Sequence, residues 1–297
     1  MRTQKLVQSM HLDTRHVFEA SQIDLGHLVG SGGFAKVYKC QLDGQSAVCK
    51  VISAEKLNDE MTYLLTNECT IWSKLAHRNI VSFYGMASTK DSVWLLCEFM
   101  PDNSLLDAHA ALRKAKAPPP TDAELISKIM QVANGMTYLH AMEPPVLHRD
   151  LKSGNVLLSE GGQRLAIADF GLARYSDTSG KKMTAETGSY RWMSPEVIRH
   201  ERYDERCDVY SFAILSWEML TYRIPFDNLM PVEAAFAVAK DQARPPIPEA
   251  FAQKSIAAMI KACWAQDAKY RPSFAELTKA LKEEETLCEQ AEQPSEE

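Results

Sequence analysis

The sequence has no apolar run approaching the ~20 residues that cross a bilayer, and its opening, MRTQKLVQSMHLD, lacks the uninterrupted apolar core and small-residue cleavage site of a secretory signal. It also lacks any C-x-x-C pair. Its seven cysteines (Cys40, Cys49, Cys69, Cys97, Cys207, Cys263 and Cys288) are scattered and odd in number, which favours neither a disulfide frame nor a zinc site. That usage fits free thiols in a reducing compartment, the cytoplasm, with the nucleus left open. An excess of positive charge is missing too: the net charge is −6 and the pI near 5.8, which argues against a general nucleic-acid or anionic-membrane binder. There is no internal repeat. What remains is an ordinary globular composition, 45% hydrophobic and 24% charged over 297 residues, enough for one large domain or two modest ones.

Along the chain, residues 1–22 carry little pattern and read as a lead-in. From Ile23 short apolar runs alternate with Gly turns, and Asp43-Gly44 is a hairpin signal. A helix is expected over 59–75 and strands over 81–86 and 93–99. After Met100 the character becomes helical. Thr121 and Glu124 form a T-x-x-E capping box ahead of Leu125, Ile126, Ile129, Val132, Ala133, Met136 and Leu139, the period of a core-facing helix. Further helices are expected over 207–221, 231–240, 252–264 and 273–285. From Lys282 onward KEEETLCEQAEQPSEE is too polar to bury and reads as a fraying helix followed by a solvated tail.

Four blocks carry chemistry. In Gly30-Ser31-Gly32-Gly33-Phe34-Ala35-Lys36-Val37, glycines allow backbone N–H groups to approach phosphate oxygens; an ordinary Gly-rich hairpin explains this block equally well. A dinucleotide site fits less well, because the segment continues as strand. Lys50, flanked by apolar residues, can present a cation to phosphates, with Glu68 in the following helix as a candidate partner. The third block is His148-Arg149-Asp150-Leu151-Lys152-Ser153-Gly154-Asn155 and the fourth Asp169-Phe170-Gly171. Phosphoryl transfer needs an oriented nucleophile, metal ions on the phosphates and cations on developing charge. Asp150 can accept or orient a hydroxyl proton, Lys152 can neutralise charge, and Asn155 and Asp169 are hard oxygen ligands for Mg²⁺. Each alone could be a plain polar loop residue; all four in this order could hardly be.

From about Ile23 to Leu281 the sequence resembles the protein kinase superfamily, block by block, down to Ser194-Pro195-Glu196 where that family has A-P-E. Asp208 matches the aspartate that begins the central helix of the large lobe, and Arg271 the arginine that pairs with Glu196. The run Thr187-Gly188-Ser189-Tyr190-Arg191-Trp192-Met193-Ser194-Pro195-Glu196 is similar to that of the tyrosine-kinase-like group, which includes Raf-like and mixed-lineage kinases and whose members are chiefly Ser/Thr kinases, with some of dual specificity. The lysine two residues after Asp150 also matches Ser/Thr kinases.

The resemblance implies an α+β bilobal fold with three parts: a lead-in (1–22), a kinase domain (23–284, small lobe 23–100, large lobe 101–284) and an acidic disordered tail (285–297). The small lobe should be a five-stranded antiparallel sheet plus one helix. It implies ATP with Mg²⁺, or Mn²⁺ in its place. The adenine would lie against Val29, Val37, Val48 and Leu157, with backbone groups of Glu98 and Met100 on its edge and Cys97 as gatekeeper. Gly30, Ser31, Gly32, Gly33, Phe34 and Ala35 would cover the phosphates and Lys50, paired with Glu68, would hold them. Asp150 and Lys152 would act on the transferring group, with Asn155 and Asp169 as metal ligands. Protein substrates and an upstream kinase are the implied partners, with no nucleic acid and no membrane span; dimerisation stays open. Phosphorylation is expected at Ser176, Thr178, Ser179, Thr184 or Thr187, with Thr184 and Thr187 favoured through Arg149.

Several positions depart from the family pattern. Ala35 replaces the third glycine, Val48 an alanine and Ala213 a glycine, and Trp72 stands where Leu or Met is usual. Trp72 would complete a stack with Phe83, His148 and Phe170 and could bias its helix inward or outward. No departure removes a catalytic group, yet an inactive ATP-binding scaffold and a tyrosine or dual-specificity kinase remain alternatives.

Overall fold

The computed structural model describes Leu6 and residues 12–32, 35–175 and 189–292. They fall into two units: residues 1–101 with 170–173, and residues 102–169 with 174–297. The division after Pro101 comes one residue later than the expected one, and Phe170–Ala173 group with the first unit.

The first unit is a sheet plus a helix. Its strands are β1 (Val17–Phe18), β2 (Ile23–Ser31), β3 (Lys36–Leu42), β4 (Gln45–Ser53), β5 (Phe83–Ser88) and β6 (Ser92–Glu98), in the order β1-β5-β6-β4-β3-β2. Five strands are antiparallel, as expected. The sixth corrects the reading of residues 1–22 as a patternless lead-in: β1 runs parallel to β5, pairing Val17 with Met86 and Phe18 with Ala87. Two residues are too few for an alternation to show in sequence, but Phe18 packs on the core formed by Ile23, Cys40, Leu42, Ala47, Cys49, Ala87 and Leu96. Between β3 and β4, Asp43 (φ 49°) and Gly44 (φ 82°) both take positive φ, the two-residue turn that Asp-Gly signals.

Helix α1 (Asp59–Trp72) starts at Asn58, whose side chain accepts from Met61 N at 2.7 Å, with Asp59 and Glu60 suiting the positive end of its dipole. It buries Leu65, Glu68, Cys69, Ile71 and Trp72, one stripe at helical spacing.

The second unit is mainly helical: α2 (Leu105–Lys114), α3 (Asp122–His140), α4 (Pro195–Ile198), α5 (Arg206–Thr221), α6 (Pro231–Asp241), α7 (Ser255–Cys263) and α8 (Phe274–Glu292). The capping box ahead of α3 is present, with Thr121 N donating to Glu124 Oε2 at 2.9 Å and Glu124 N to Thr121 Oγ1 at 3.2 Å. Every residue of α5 from Cys207 to Leu220 is buried, which makes it the axis of this unit. Two short ribbons complete it: β7 (Val146–Leu147) pairs with β10 (Arg174–Tyr175), and β8 (Val156–Ser159) with β9 (Arg164–Ile167). The tail expected to be disordered from 285 is helical as far as Glu292, since Glu, Leu, Gln and Ala are good helix formers; residues 293–297 lie outside the described residues. Among the described residues no helix is long and apolar enough to cross a membrane.

Candidate active site

In the first unit the ladder sets which side chains share a face. Lys50 lies opposite Val37 on β3 and Leu95 on β6, and Val48 lies opposite Cys97. Directly paired residues point to one side of a sheet and alternate residues of a strand do likewise. Val37, Val48, Lys50 and Cys97 therefore occupy one face, while Ala47 and Cys49 bury on the other. Burial pushes the Cys97 thiol up to about 12, so it stands there as a neutral, small apolar group. Glu98 ends β6, Met100 is buried just after it, and Val29, in an irregular stretch of β2, is 49% exposed. The glycine turn is closed by Gly32 N donating to Ala35 O at 2.9 Å, with Gly30 opposite Val37 and Ser31 opposite Lys36. Gly33 and Phe34 lie outside the described residues.

Lys50 meets Glu68 across this unit, Nζ to Oε1 at 3.6 Å. Four residues on, the buried Trp72 donates from Nε1 to Val81 O at 2.7 Å. Its ring lies 5.2 Å from Phe83 and 5.8 Å from Phe170, and 5.6 Å from Lys50 Nζ. Three of the four expected stack members are thus together and α1 faces Glu68 inward to Lys50; His148 belongs to the second unit. Asn67, which the sequence did not single out, donates to Ala173 O at 2.7 Å and ties α1 to the segment after Asp169.

In the second unit β7 leads directly into His148, Arg149 and Asp150. This turn is strained, with Arg149 at φ 67°. Asp208, in the first turn of α5, holds it: Oδ1 accepts from Arg149 N at 2.7 Å, and Oδ2 accepts from His148 N at 2.9 Å and lies 3.0 Å from His140 Nε2. Burial raises the Asp208 pKa, but the hydrogen bonds and nearby histidines outweigh it and hold the carboxyl below its ordinary value.

Asp150 Oδ2 accepts from Lys152 Nζ at 2.7 Å and Asn155 Nδ2 at 2.9 Å, and its buried Oδ1 has no hydrogen-bond partner among the described residues. Lys152 Nζ also donates to Ser189 Oγ at 2.6 Å, so Ser189 reaches the aspartate through the lysine.

Asn155 and Asp169 stand at one end of the β8–β9 ribbon. Val156 pairs with Ile167, Ala168 N donates to Asn155 O at 2.8 Å, and Asp169 follows. Because Asn155 Nδ2 is bound to Asp150, its amide oxygen is the atom left for a cation, and Asp169 is exposed. Two hard oxygen donors on one ribbon end fit Mg²⁺. Leu157, half-buried, lies on β8.

Arg271 and Glu196 pair as expected, in a buried fork at 2.6 and 2.8 Å. Glu218, not anticipated, is 1% exposed in the last turn of α5 and joins two functional segments: it accepts from Ser153 Oγ (2.7 Å), Ser153 N (3.3 Å) and Trp192 Nε1 (2.7 Å). Burial pushes its carboxyl up to about 7, against those hydrogen bonds. An acid inside the apolar run of α5 was the available signal. Ser176, Thr178, Ser179, Thr184 and Thr187 lie outside the described residues.

Residues 23–281 match the family described as protein tyrosine and serine/threonine kinase. The chain is similar to Serine/threonine-protein kinase STY17 of Arabidopsis thaliana, 36% identical over 266 residues, 89% of this chain and 45% of that protein. It is 36% identical over 261 residues to Serine/threonine-protein kinase STY46 of the same plant (88% and 44%). With Serine/threonine/tyrosine-protein kinase HT1, also from Arabidopsis thaliana, identity is 33% over 268 residues (89% and 66%). The chain thus spans about half the length of the first two relatives.

Proposed function

The chain belongs to the protein tyrosine and serine/threonine kinase family, and from that membership we propose that it transfers the γ-phosphoryl group of Mg-ATP to serine and threonine hydroxyls of proteins, in signal transduction. The observation that carries this reading is the Asp150–Lys152–Asn155–Ser189 network, with one buried aspartate oxygen left over.

Asp150 orients the substrate hydroxyl and takes its proton as the new O–P bond forms and the bond from the γ-phosphorus to the bridging oxygen breaks, ADP leaving with that electron pair. Lys152, held between Asp150 and Ser189, places its charge on the transferring group. Lys50, held by Glu68, binds the α- and β-phosphates. The adenine packs on Val29, Val37, Val48 and Leu157, with Cys97 as gatekeeper and the backbone of Glu98 and Met100 on its edge. Gly30, Ser31, Gly32, Gly33, Phe34 and Ala35 cover the phosphates. Asn155 and Asp169 would hold the metal, Mg²⁺ or Mn²⁺ in its place, which when bound would supply positive charge against the phosphates. The free cysteines fit the cytoplasm. An upstream kinase acting on Thr184 or Thr187 would bring a phosphate to Arg149.

The test is transfer from labelled ATP with Mg²⁺ to a generic protein substrate, comparing wild type with Asp150→Asn, followed by phosphoamino-acid analysis. Label on serine or threonine from the wild type alone is the expected result. ATP binding without transfer would support a scaffold. Label on tyrosine would support dual specificity, the second reading, which the name of the HT1 relative favours.

A further inference from the structure

Residues 13–18 are built onto the sheet, and three observations fix them there. Asp13 closes a 3₁₀ turn over Thr14–His16, its side chain accepting from Arg15 N at 3.1 Å and its carbonyl from His16 N at 2.9 Å. Strand β1 then pairs with β5. Between them Gly85 sits at φ 151°, where a Cβ would stand 2.7 Å from the His16 carbonyl carbon and 2.7 Å from Phe18 Cε2, so only glycine admits this strand. Within that seat His16 Nδ1 donates to Tyr84 O at 2.9 Å, and its ring lies 5.6 Å from the Phe83 ring.

From Phe83 the contacts continue to Trp72 at 5.2 Å, and from Trp72 to Phe170 at 5.8 Å and Lys50 Nζ at 5.6 Å. Trp72 belongs to α1, one turn beyond Glu68. An unbroken run of ring contacts therefore joins the turn ahead of the first strand to the lysine and to the helix that bears its partner.

We propose that His16 is a positioning residue: stacked on Phe83, it holds Trp72, and with it α1, where Glu68 meets Lys50. Close-packed interiors pass a lost contact to the next neighbour rather than absorbing it. The Lys50–Glu68 pair, at 3.6 Å, is long enough to depend on where α1 rests. Were His16 only a cover for the sheet, its loss would lower global stability without singling out α1. The activity arm of the test rests on the kinase reading; the exchange arm does not.

The experiment uses the full chain as wild type, His16→Ala, His16→Phe and Gly85→Ala. Amide hydrogen exchange is measured over α1 and, as a reference, over α3, alongside kcat and KM for ATP. In His16→Ala and Gly85→Ala, α1 should exchange about fivefold faster with α3 unchanged, the scale set by losing one aromatic contact. The kcat should fall by about the same factor with KM for ATP moved less. His16→Phe, which keeps the ring and loses the bond to Tyr84, should restore both. Unchanged α1 exchange in His16→Ala overturns the proposal, as does failure of His16→Phe to rescue. Should Gly85→Ala not fold, His16→Ala and His16→Phe decide. A wild type that transfers no phosphoryl group would count against the kinase reading while the exchange data still judge His16.

Discussion

The two units hold their charged groups in opposite ways. In the second, Asp150, Lys152, Asn155 and Ser189 are joined by bonds of 2.6–2.9 Å, and buried Asp208 clamps the backbone that leads into them. In the first, Lys50 and Glu68 stand 3.6 Å apart, too far for a strong hydrogen bond, and the lysine side chain is 26% exposed. Groups that act on developing charge gain from being fixed beforehand, because nothing then reorganises as the reaction proceeds. A pair formed between a strand and a helix is adjustable, since its length follows the packing of the helix. The second unit reads as a fixed device and the first as a settable one, and substitutions can break or sharpen that contrast.

The largest effect should come from the clamp. Asp208→Ala leaves two backbone N–H groups, the buried one of His148 and the half-buried one of Arg149, without their acceptor. Each orphaned group costs about 1–3 kcal/mol, so a loss of about 3–5 kcal/mol is expected in guanidinium unfolding. Because hydrogen bonds hold the Asp208 carboxyl below its ordinary value, its contribution is present above that value and lost as pH falls through the lowered one. A loss under about 1 kcal/mol would mean that the turn stands without the clamp, and the contrast would fail.

Glu218 should give an intermediate effect with an opposite pH signature. Glu218→Gln keeps the shape but offers one acceptor oxygen to the donors from Ser153 and Trp192. A cost of about 1–2 kcal/mol is expected at about pH 4, shrinking as the pH rises. The wild-type carboxyl is raised to about 7 by burial, so the folded state holds its proton more tightly than the unfolded chain. Its contribution is complete below the ordinary carboxylate value and lost as pH rises through about 7. Urea midpoints across that range should therefore fall more steeply for wild type than for Glu218→Gln; parallel curves would show that Glu218 does not titrate there.

How much of this was legible in the sequence follows from the range of each signal. The α3 cap, the Asp43-Gly44 turn and the buried face of α3 are local patterns, and each is found as read. Glu196–Arg271 and the place of Asp208 come from the family resemblance, since nothing local ties residues so far apart, and Lys50–Glu68, a candidate pair on residue type alone, takes its weight from the same source. Strand β1 was missed because two residues show no period and Gly85, which admits it, reads as an ordinary glycine. Helix α2 was missed although Ser104 and Asp107 form its capping box, the same device as Thr121 and Glu124 with a shorter acid. Glu218 and Asn67 act through contacts across the fold, with Ser153 and Ala173, that no window of sequence contains.

The smallest change in stability should follow Lys50→Met. A partly exposed pair of this length contributes up to about 1 kcal/mol, because solvent screens it and side-chain entropy opposes it. The methionine keeps most of the apolar stem that lies near Trp72, so packing of the strand face should survive. Under the proposed function the same substitution removes the cation on the phosphates and should lower transfer by about 100-fold or more. Unfolding and transfer measured on one preparation therefore separate the two regions. A near-normal unfolding midpoint with transfer lost is the signature of a settable pair kept for chemistry. A loss of stability matching that of Asp208→Ala would instead make Lys50 part of the frame, and the distinction between the units would disappear.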